Sequence, residues 1–115
     1  NKLYYDLNCK YFGPDMVSDP EIAYEWARIP HFYYNFYVYQ YATGFSSAVA
    51  LAHGILKEGA PAVERYKKFL SGGCSASPVE LLKIAGVNLE TPKPIQEALD
   101  VFGEVLDEIE ALLAE

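Results

Sequence analysis

The chain has 115 residues, of which 51% are hydrophobic and 22% charged, a composition typical of one folded domain. Its formal net charge of −7 argues against nucleic-acid binding, because no basic surface is available to meet phosphates. The absence of any apolar run of about 18 residues excludes a membrane-spanning helix. The sequence begins at Asn1 without a methionine and is 15% aromatic, so we expect a segment of a larger protein.

Two short helices are predicted in the first 29 residues. Leu3, Leu7 and Tyr11 share one helical stripe, and Gly13 ends that helix. Asp19-Pro20-Glu21 begins the next helix with a cap, a proline at the first position and an acidic residue, and Pro30 ends it. Cys9 and Cys74 match no metal-ligand spacing, so we expect free, buried thiols in a reducing cytoplasm.

Residues 30–45 are unusually aromatic: they hold five of the 10 tyrosines and three of the 6 phenylalanines. We predict one α-helix from Pro30 to about Lys57. Its second half is rich in small residues and predicts a buried helix in which His53 is a core or surface side chain rather than a ligand.

Four polar aromatic side chains of this predicted helix fall on one face. Taking His31 as zero, Tyr34, Tyr37 and Tyr41 lie at about −60°, −120° and −80°. Phe32, Phe36 and Tyr39 lie on the opposite side. Tyrosines behind a histidine suggest a wall that binds a ligand, because each hydroxyl needs a hydrogen-bonding partner when buried. The sequence pattern alone supports a ligand-binding wall and ordinary core packing equally well.

The remaining elements are helical as well. Helices are predicted over 60–70, over 79–85 after the capping box Ser77-Pro78-Val79-Glu80, and over 95–113. The acidic residues of the last helix indicate a solvated face rather than a metal site. Between the first two of these helices, residues 71–76 form a loop that contains Gly72 and Gly73. The two glycines either allow a ligand to approach the backbone closely or belong to a simple connecting loop. The loop lacks the lysine of a phosphate-binding loop, and no strand pattern occurs, so the fold class is all-α.

No catalytic motif is complete within the chain. The sequence contains no H-E-x-x-H and no G-x-S-x-G, and its two histidines are too few for a zinc site of three protein ligands. A candidate ligand wall is therefore present without the groups that would carry out a reaction.

From about Tyr11 onward the chain resembles the C-terminal segment of the oligoendopeptidase F family, within the thimet oligopeptidase-like zinc metallopeptidases. The resemblance lies in Tyr11-Phe12-Gly13-Pro14, in residues 26–44 (WARIPHFYYNFYVYQYATG), in Gly72-Gly73-Cys74-Ser75 and in residues 78–83 (PVELLK). Cys74 departs from the serine expected in that glycine loop.

The resemblance implies the helical C-terminal part of a mostly helical catalytic domain, with residues 1–115 as one segment of it. It implies a zinc-dependent oligoendopeptidase that hydrolyses short peptides, whose zinc ligands lie upstream of this chain, so that the chain alone is inactive. Its partners are then the peptide substrate and the upstream polypeptide, and we expect the chain alone to self-associate through its exposed aromatic face.

Matched by motif, the resemblance implies that His31 and Tyr41 stabilise the transition state by donating to the oxyanion. His31, Tyr34, Tyr37 and Tyr41 then bind the substrate, together with Gly72 and Gly73. The alternative is a non-catalytic helical module that binds a peptide or a small ligand in its aromatic groove.

Overall fold

The computed structural model describes residues 1–114, and the regular structure in this range is entirely helical. Five α-helices follow one another: α1 (Lys2–Phe12), α2 (Tyr39–Glu58), α3 (Ala60–Ser71), α4 (Pro78–Ile84) and α5 (Lys93–Leu113). Two 3₁₀ helices, Pro20–Arg28 and Pro30–Tyr33, lie between α1 and α2. The prediction of an all-α fold is confirmed. No helix among the described residues has the length and apolar character needed to cross a membrane.

The chain forms two compact units, Asn1–Gln40 and Tyr41–Glu115. In the first unit, the side chains of Asn1 and of Tyr4 in α1 hold the first 3₁₀ helix. The Tyr4 hydroxyl donates to Glu25 Oε2 at 3.0 Å, and Trp26 Nε1 donates to Asn1 Oδ1 at 2.8 Å. The hydrogen bond to the Glu25 carboxylate raises the pKa of Tyr4, because it stabilises the protonated phenol. This network fixes the backbone that leads into the aromatic segment.

The ends of the first two helices follow the predicted chemistry. Gly13 ends α1 with φ +78°, a conformation that glycine adopts without a steric penalty. Asp19 caps the first 3₁₀ helix, since its carboxylate accepts from the Glu21 N–H at 2.8 Å. The helix over Pro20–Arg28 lies where the sequence predicted one, although its turns are 3₁₀ rather than α.

The core of the second unit consists of small and medium apolar side chains. Ala62, Leu81, Ala85 and Val87 are each at most 8% exposed. The predicted capping box at Ser77 and Glu80 is confirmed, and it begins α4 at Pro78. Separate contacts join α4 to α3.

Two predictions of burial are wrong for the described chain. Only Ser46 and Ser47 of α2 are buried, while Phe45 is 71% and Leu56 85% exposed. Both cysteines are free thiols as predicted, but Cys9 is half-buried and Cys74 is exposed. The apolar stripe of α5 is also largely open, with its members between 43% and 82% exposed. Many apolar side chains therefore have no cover within residues 1–114.

Candidate functional site

The aromatic segment does not form the single α-helix that the sequence predicted. A 3₁₀ helix covers Pro30–Tyr33, residues 34–38 form turns, and α2 begins only at Tyr39. Aromatic and β-branched residues lose side-chain freedom in an α-helix, and asparagine favours turns. The stretch from Phe32 to Val38 is made almost entirely of such residues, which explains the difference.

Hydrogen bonds of the i to i+3 type run through this segment. The Tyr34 N–H donates to His31 O at 3.3 Å, the Tyr37 N–H to Tyr34 O at 3.3 Å, and the Gln40 N–H to Tyr37 O at 3.1 Å. A repeat of three residues places side chains at i and i+3 above one another. His31, Tyr34 and Tyr37 therefore lie on one edge of the chain, as predicted, but through a period of three rather than 3.6.

The three rings form a cluster, which we call the His31 cluster. The centroids of His31 and Tyr37 are 5.7 Å apart with nearly parallel rings at 26°. Tyr34 meets both edge-on, at 6.4 Å from His31 and 5.9 Å from Tyr37. Such pairs orient each other by quadrupole attraction. The result is an imidazole and two phenols, all capable of donating hydrogen bonds, held side by side.

This cluster lies on the surface of the first unit. Tyr34 is 59% and Tyr37 37% exposed, and His31 is exposed as well. Phe32 points elsewhere, since it lines an apolar hollow of about 620 Å³ with Leu7 and Trp26. Phe32 is nevertheless 48% exposed, and Phe36 and Tyr39, which the helical wheel placed on the same side, are 84% and 60% exposed.

Neighbouring side chains hold the segment in place. The Tyr33 hydroxyl donates to Ala27 O at 2.8 Å, and its ring lies 6.5 Å from that of Trp26. Tyr33 is therefore an anchor of the 3₁₀ helix to the preceding one, unlike its neighbour Tyr34.

Phe36 has the most unusual backbone in the segment. Its φ is +55°, and no other non-glycine residue among those described has a positive φ. A bulky side chain is unfavourable in this left-handed region, at a cost on the order of 1–3 kcal/mol. The Gln40 side chain donates to Phe36 O at 3.2 Å and helps to fix the conformation. The sequence pattern gives Phe36 only a place on the side opposite His31, and the preceding residue, Asn35, is one that favours turns.

Tyr41 lies in the first turn of α2, within the second unit, and is 59% exposed. The helical wheel placed it beside His31 by assuming one α-helix from Pro30, and that assumption is wrong. Its role in binding or catalysis stays a prediction, and it rests on the matched motif rather than on the wheel.

The two glycines of the predicted loop differ from each other. A Cβ on Gly72 would lie 2.7 Å from Leu81 Cδ2 and 3.1 Å from Phe69 O, so any larger residue there would force the Leu81 side chain to move. Gly73 has φ +52°, and a Cβ built on it meets nothing within 4 Å. Gly73 is the glycine with open space beside it.

No metal site is formed by the described residues. Among residues 1–114, no three His, Cys, Asp or Glu side chains are placed so that they could hold a metal ion. His53 is exposed on α2. The described side chains thus do not provide the ligand set that a zinc ion needs.

Comparison with known proteins gives a consistent set of relatives. The sequence model of peptidase family M3 matches residues 1–101. Oligopeptidase PepF of Bacillus subtilis (strain 168) is 61% identical over 111 residues, which are 96% of this chain and 17% of that protein. The plasmid-encoded oligoendopeptidase F of Lactococcus lactis subsp. cremoris is 44% identical over 113 residues, or 98% of this chain and 19% of that protein.

A solved structure has the same fold. The crystal structure of oligoendopeptidase-F from Enterococcus faecium superposes with a TM-score of 0.85 at 48% sequence identity, covering 97% of this chain and 22% of that one. The chain therefore spans less than a quarter of the length of each of these three proteins.

Proposed function

The chain belongs to peptidase family M3, and from this premise we propose that it is the substrate-binding part of a zinc-dependent oligoendopeptidase that hydrolyses short peptides. The relatives named above are an oligopeptidase and two oligoendopeptidases, and each is about four to six times as long as the matched region. The hydrolytic activity is thus proposed for a longer polypeptide, and residues 1–115 alone are proposed to be inactive.

The observation that carries the proposal is the His31 cluster. An imidazole and two phenols within 6.4 Å of one another, on an exposed turn, form a surface with several hydrogen-bond donors and apolar ring faces. A peptide backbone presents carbonyl acceptors, and its side chains present apolar surface. The cluster is complementary to both, and we propose that His31, Tyr34 and Tyr37 bind the substrate together with Tyr41.

The catalytic part of the proposal concerns the scissile carbonyl. When its carbon becomes tetrahedral, the oxygen gains negative charge, and positioned N–H and O–H donors stabilise that charge. We assign this donation to His31 and Tyr41. One such donor can contribute about 2.7–4 kcal/mol to the transition state.

Zinc is assigned to another part of the longer polypeptide, because the described residues of this chain offer no set of ligands. Bound there, the metal would supply Lewis-acid chemistry and an activated water. We also propose that Gly72 and Gly73 approach the substrate backbone, with Gly73 the better placed of the two because the space beside it is open. The two unpaired thiols favour a reducing, cytoplasmic location as part of the same proposal.

The test is turnover of an internally quenched short peptide by the zinc-loaded, longer polypeptide that carries this chain. We expect His31→Phe and Tyr41→Phe each to lower kcat by about a hundredfold or more, with zinc content and thermal unfolding unchanged. Near-normal turnover in both variants would contradict the proposed role and reduce the aromatic segment to structural packing.

Tyr33→Phe is the matched control. It removes one phenol from the same segment, but that hydroxyl donates to the backbone oxygen of Ala27. We expect turnover within twofold of the wild type and a stability loss on the order of 1 kcal/mol.

The second candidate is a non-catalytic helical module that binds a peptide or small ligand at the exposed His31 cluster. The coding sequence decides between the two, since an upstream H-E-x-x-H in the same frame supports the peptidase and a start codon beside Asn1 supports the module. In either case we expect the isolated chain to self-associate through its exposed aromatic residues. A monomer in sedimentation at high concentration would contradict that expectation.

A further inference from the structure

The helix α5 has a row of large apolar side chains that the described chain leaves open, which we call the α5 stripe. On a helical wheel with Leu106 at zero, its members lie between about −60° and +20°: Ile95, Leu99, Phe102, Leu106, Ile109 and Leu113. All six are at least 43% exposed, and Pro94 is the only residue of α5 that is buried within residues 1–114. The members are separated alternately by four and three residues, the spacing by which one helix packs along another. The α5 stripe therefore has the form of a helix-packing surface.

The first turn of α5 meets the rest of the second unit with its other side. Lys93, Pro94 and Glu97 line a cavity of about 430 Å³ together with residues of α2 and α3. On the same wheel these three residues lie at about +140°, −120° and 180°, well away from the stripe. The α5 stripe is therefore not the surface by which this helix joins α2 and α3.

The charges of α5 indicate what kind of surface covers the stripe. The helix has six carboxylates and, apart from Lys93 at its start, no basic residue. Three carboxylates border the stripe on one side, with Glu110, Asp107 and Asp100 at about +40°, +100° and +120°. A helix also has the negative end of its dipole at its C-terminus, and the last turn of α5 contains no basic residue to oppose it. Basic side chains on a neighbouring surface would offset both charges.

A second copy of this chain does not supply those basic side chains. Two α5 helices packed along their stripes would place carboxylates beside carboxylates over most of their length, and like charges at the flanks of a helix pair oppose association. The longer polypeptide is the better occupant, because the matched region is only 17% and 19% of the two relatives' length. Most of the folded protein thus lies outside this chain.

We infer that the α5 stripe packs against a helix of the longer polypeptide that lies outside residues 1–115 and carries lysine or arginine beside its own apolar residues. The inference rests on the proposed function only in that this chain is part of a longer peptidase. It adds to that function an interface that joins the substrate-binding part to the remainder, in which Asp107 and Glu110 pair with the basic residues of the partner helix.

Thiol labelling of the longer, zinc-loaded polypeptide tests whether the stripe is covered. Leu106→Cys places a thiol in the stripe, and Glu104→Cys, at about +160°, places one on the opposite side as the matched control. We expect a maleimide to label position 106 about a hundredfold more slowly than position 104, measured by mass spectrometry of the peptides that contain each position. Ile109→Cys is a second stripe position if Leu106→Cys does not fold. Equal labelling rates in folded protein would overturn the inference.

Sedimentation of the same variants identifies the covering molecule. Protection of the stripe thiol that persists in the monomer after dilution supports cover by the rest of the same polypeptide. Protection that is lost as a dimer dissociates would assign the α5 stripe to a second copy and overturn the inference.

Charge reversal tests the basic character of the partner helix. We expect Asp107→Lys to lower the unfolding temperature of the longer polypeptide, because it places a cation against the basic residues, whereas Glu104→Lys on the opposite side should leave it unchanged or raise it. An equal rise in both variants would refute a basic partner. None of these measurements uses turnover, so their failure is distinct from a failure of His31→Phe to lower kcat.

Discussion

The turn at residues 30–38 and the helix α4 differ in how well their local sequence signals agree with their burial. In α4 the local signals agree: Ser77 and Glu80 form a capping box, Pro78 occupies the first position, and Leu81 and Ala85 are buried. In the turn, every residue from Pro30 to Val38 is exposed. Phe36 has a left-handed φ, and the short helix at the start of the turn is 3₁₀.

This difference indicates what each region contributes. Where propensity, capping and burial agree, the sequence specifies a stable element. Where a chain exposes aromatic side chains and maintains an unfavourable backbone, these residues add little to the stability of the described chain, which agrees with the binding role proposed for the turn. We therefore expect substitutions in α4 to change mainly the free energy of unfolding, and substitutions in the turn to change mainly turnover.

The largest effect on stability is expected for Leu81→Ala. Leu81 is 7% exposed and packs against Gly72, so truncation removes buried methyl groups and leaves a cavity. We expect the free energy of unfolding to fall by about 2–5 kcal/mol, measured by urea denaturation of the chain. In the longer polypeptide, turnover per folded molecule should stay within twofold of the wild type. If Leu81→Ala lowered the free energy of unfolding by less than about 1 kcal/mol, or lowered turnover of the folded protein a hundredfold, the two regions would not differ in the way we expect.

An intermediate effect is expected at the glycine pair. Gly72→Ala brings a Cβ to 2.7 Å from Leu81 Cδ2, and we expect it to destabilise the chain by about 1–3 kcal/mol. Gly73→Ala meets no atom within 4 Å but keeps a left-handed φ, so its loss should be only about 1 kcal/mol, with an increase in KM if this glycine approaches the substrate.

Gly54→Ala serves as the control for this pair. A Cβ at this position in α2 has Glu58 Oε1 as its nearest neighbour, at 4.0 Å. We expect a gain of about 0.4–1 kcal/mol, since alanine reduces the freedom of the unfolded chain. Equal losses at Gly72 and Gly73 would show that the contact with Leu81 does not decide the difference.

Much of the fold could be predicted from the sequence, because most elements carry local signals. Gly13, Asp19 and Ser77 fixed helix ends, and the apolar spacing of α5 predicted its extent to within two residues at either end. These signals act between residues close in sequence, and no tertiary information is needed to interpret them.

The aromatic turn could be predicted only in part. The i, i+3 spacing of His31, Tyr34 and Tyr37 places side chains together in α-helices and in 3₁₀ turns alike, so it predicted that these three rings lie side by side although the segment is not an α-helix. The prediction that Tyr41 shares their face assumed a continuous α-helix, which this segment does not form. The left-handed φ of Phe36 depends on the Gln40 side chain and on successive turns, and single-residue propensity contains no signal for it.

The smallest effect concerns the capping box and its dependence on pH. Ser77 Oγ accepts from the Glu80 N–H at 3.3 Å, while Glu80 Oε2 accepts from Ser77 Oγ at 2.9 Å and from the Ser77 N–H at 3.2 Å. The hydrogen bonds from Ser77 lower the pKa of Glu80 below its usual value of 4.5, because they favour the carboxylate. Since the folded pKa lies below the unfolded one, this stabilisation is present above pH 4.5 and is lost as the pH falls towards the folded pKa.

Ser77→Ala should therefore destabilise the chain by about 1 kcal/mol at neutral pH and by less in acid, as measured by thermal unfolding at pH 7 and at roughly pH 3.5. Ser75→Ala, two residues earlier in an exposed stretch, is the matched control and should change little at either pH. Glu80→Gln cannot ionise, so its unfolding temperature should depend less on pH than that of the wild type. If Ser77→Ala lowered the unfolding temperature equally at both pH values, the cap would stabilise α4 without the charge of Glu80. The start of α4 would then be stabilised by Ser77 and Pro78 without a contribution from the Glu80 carboxylate.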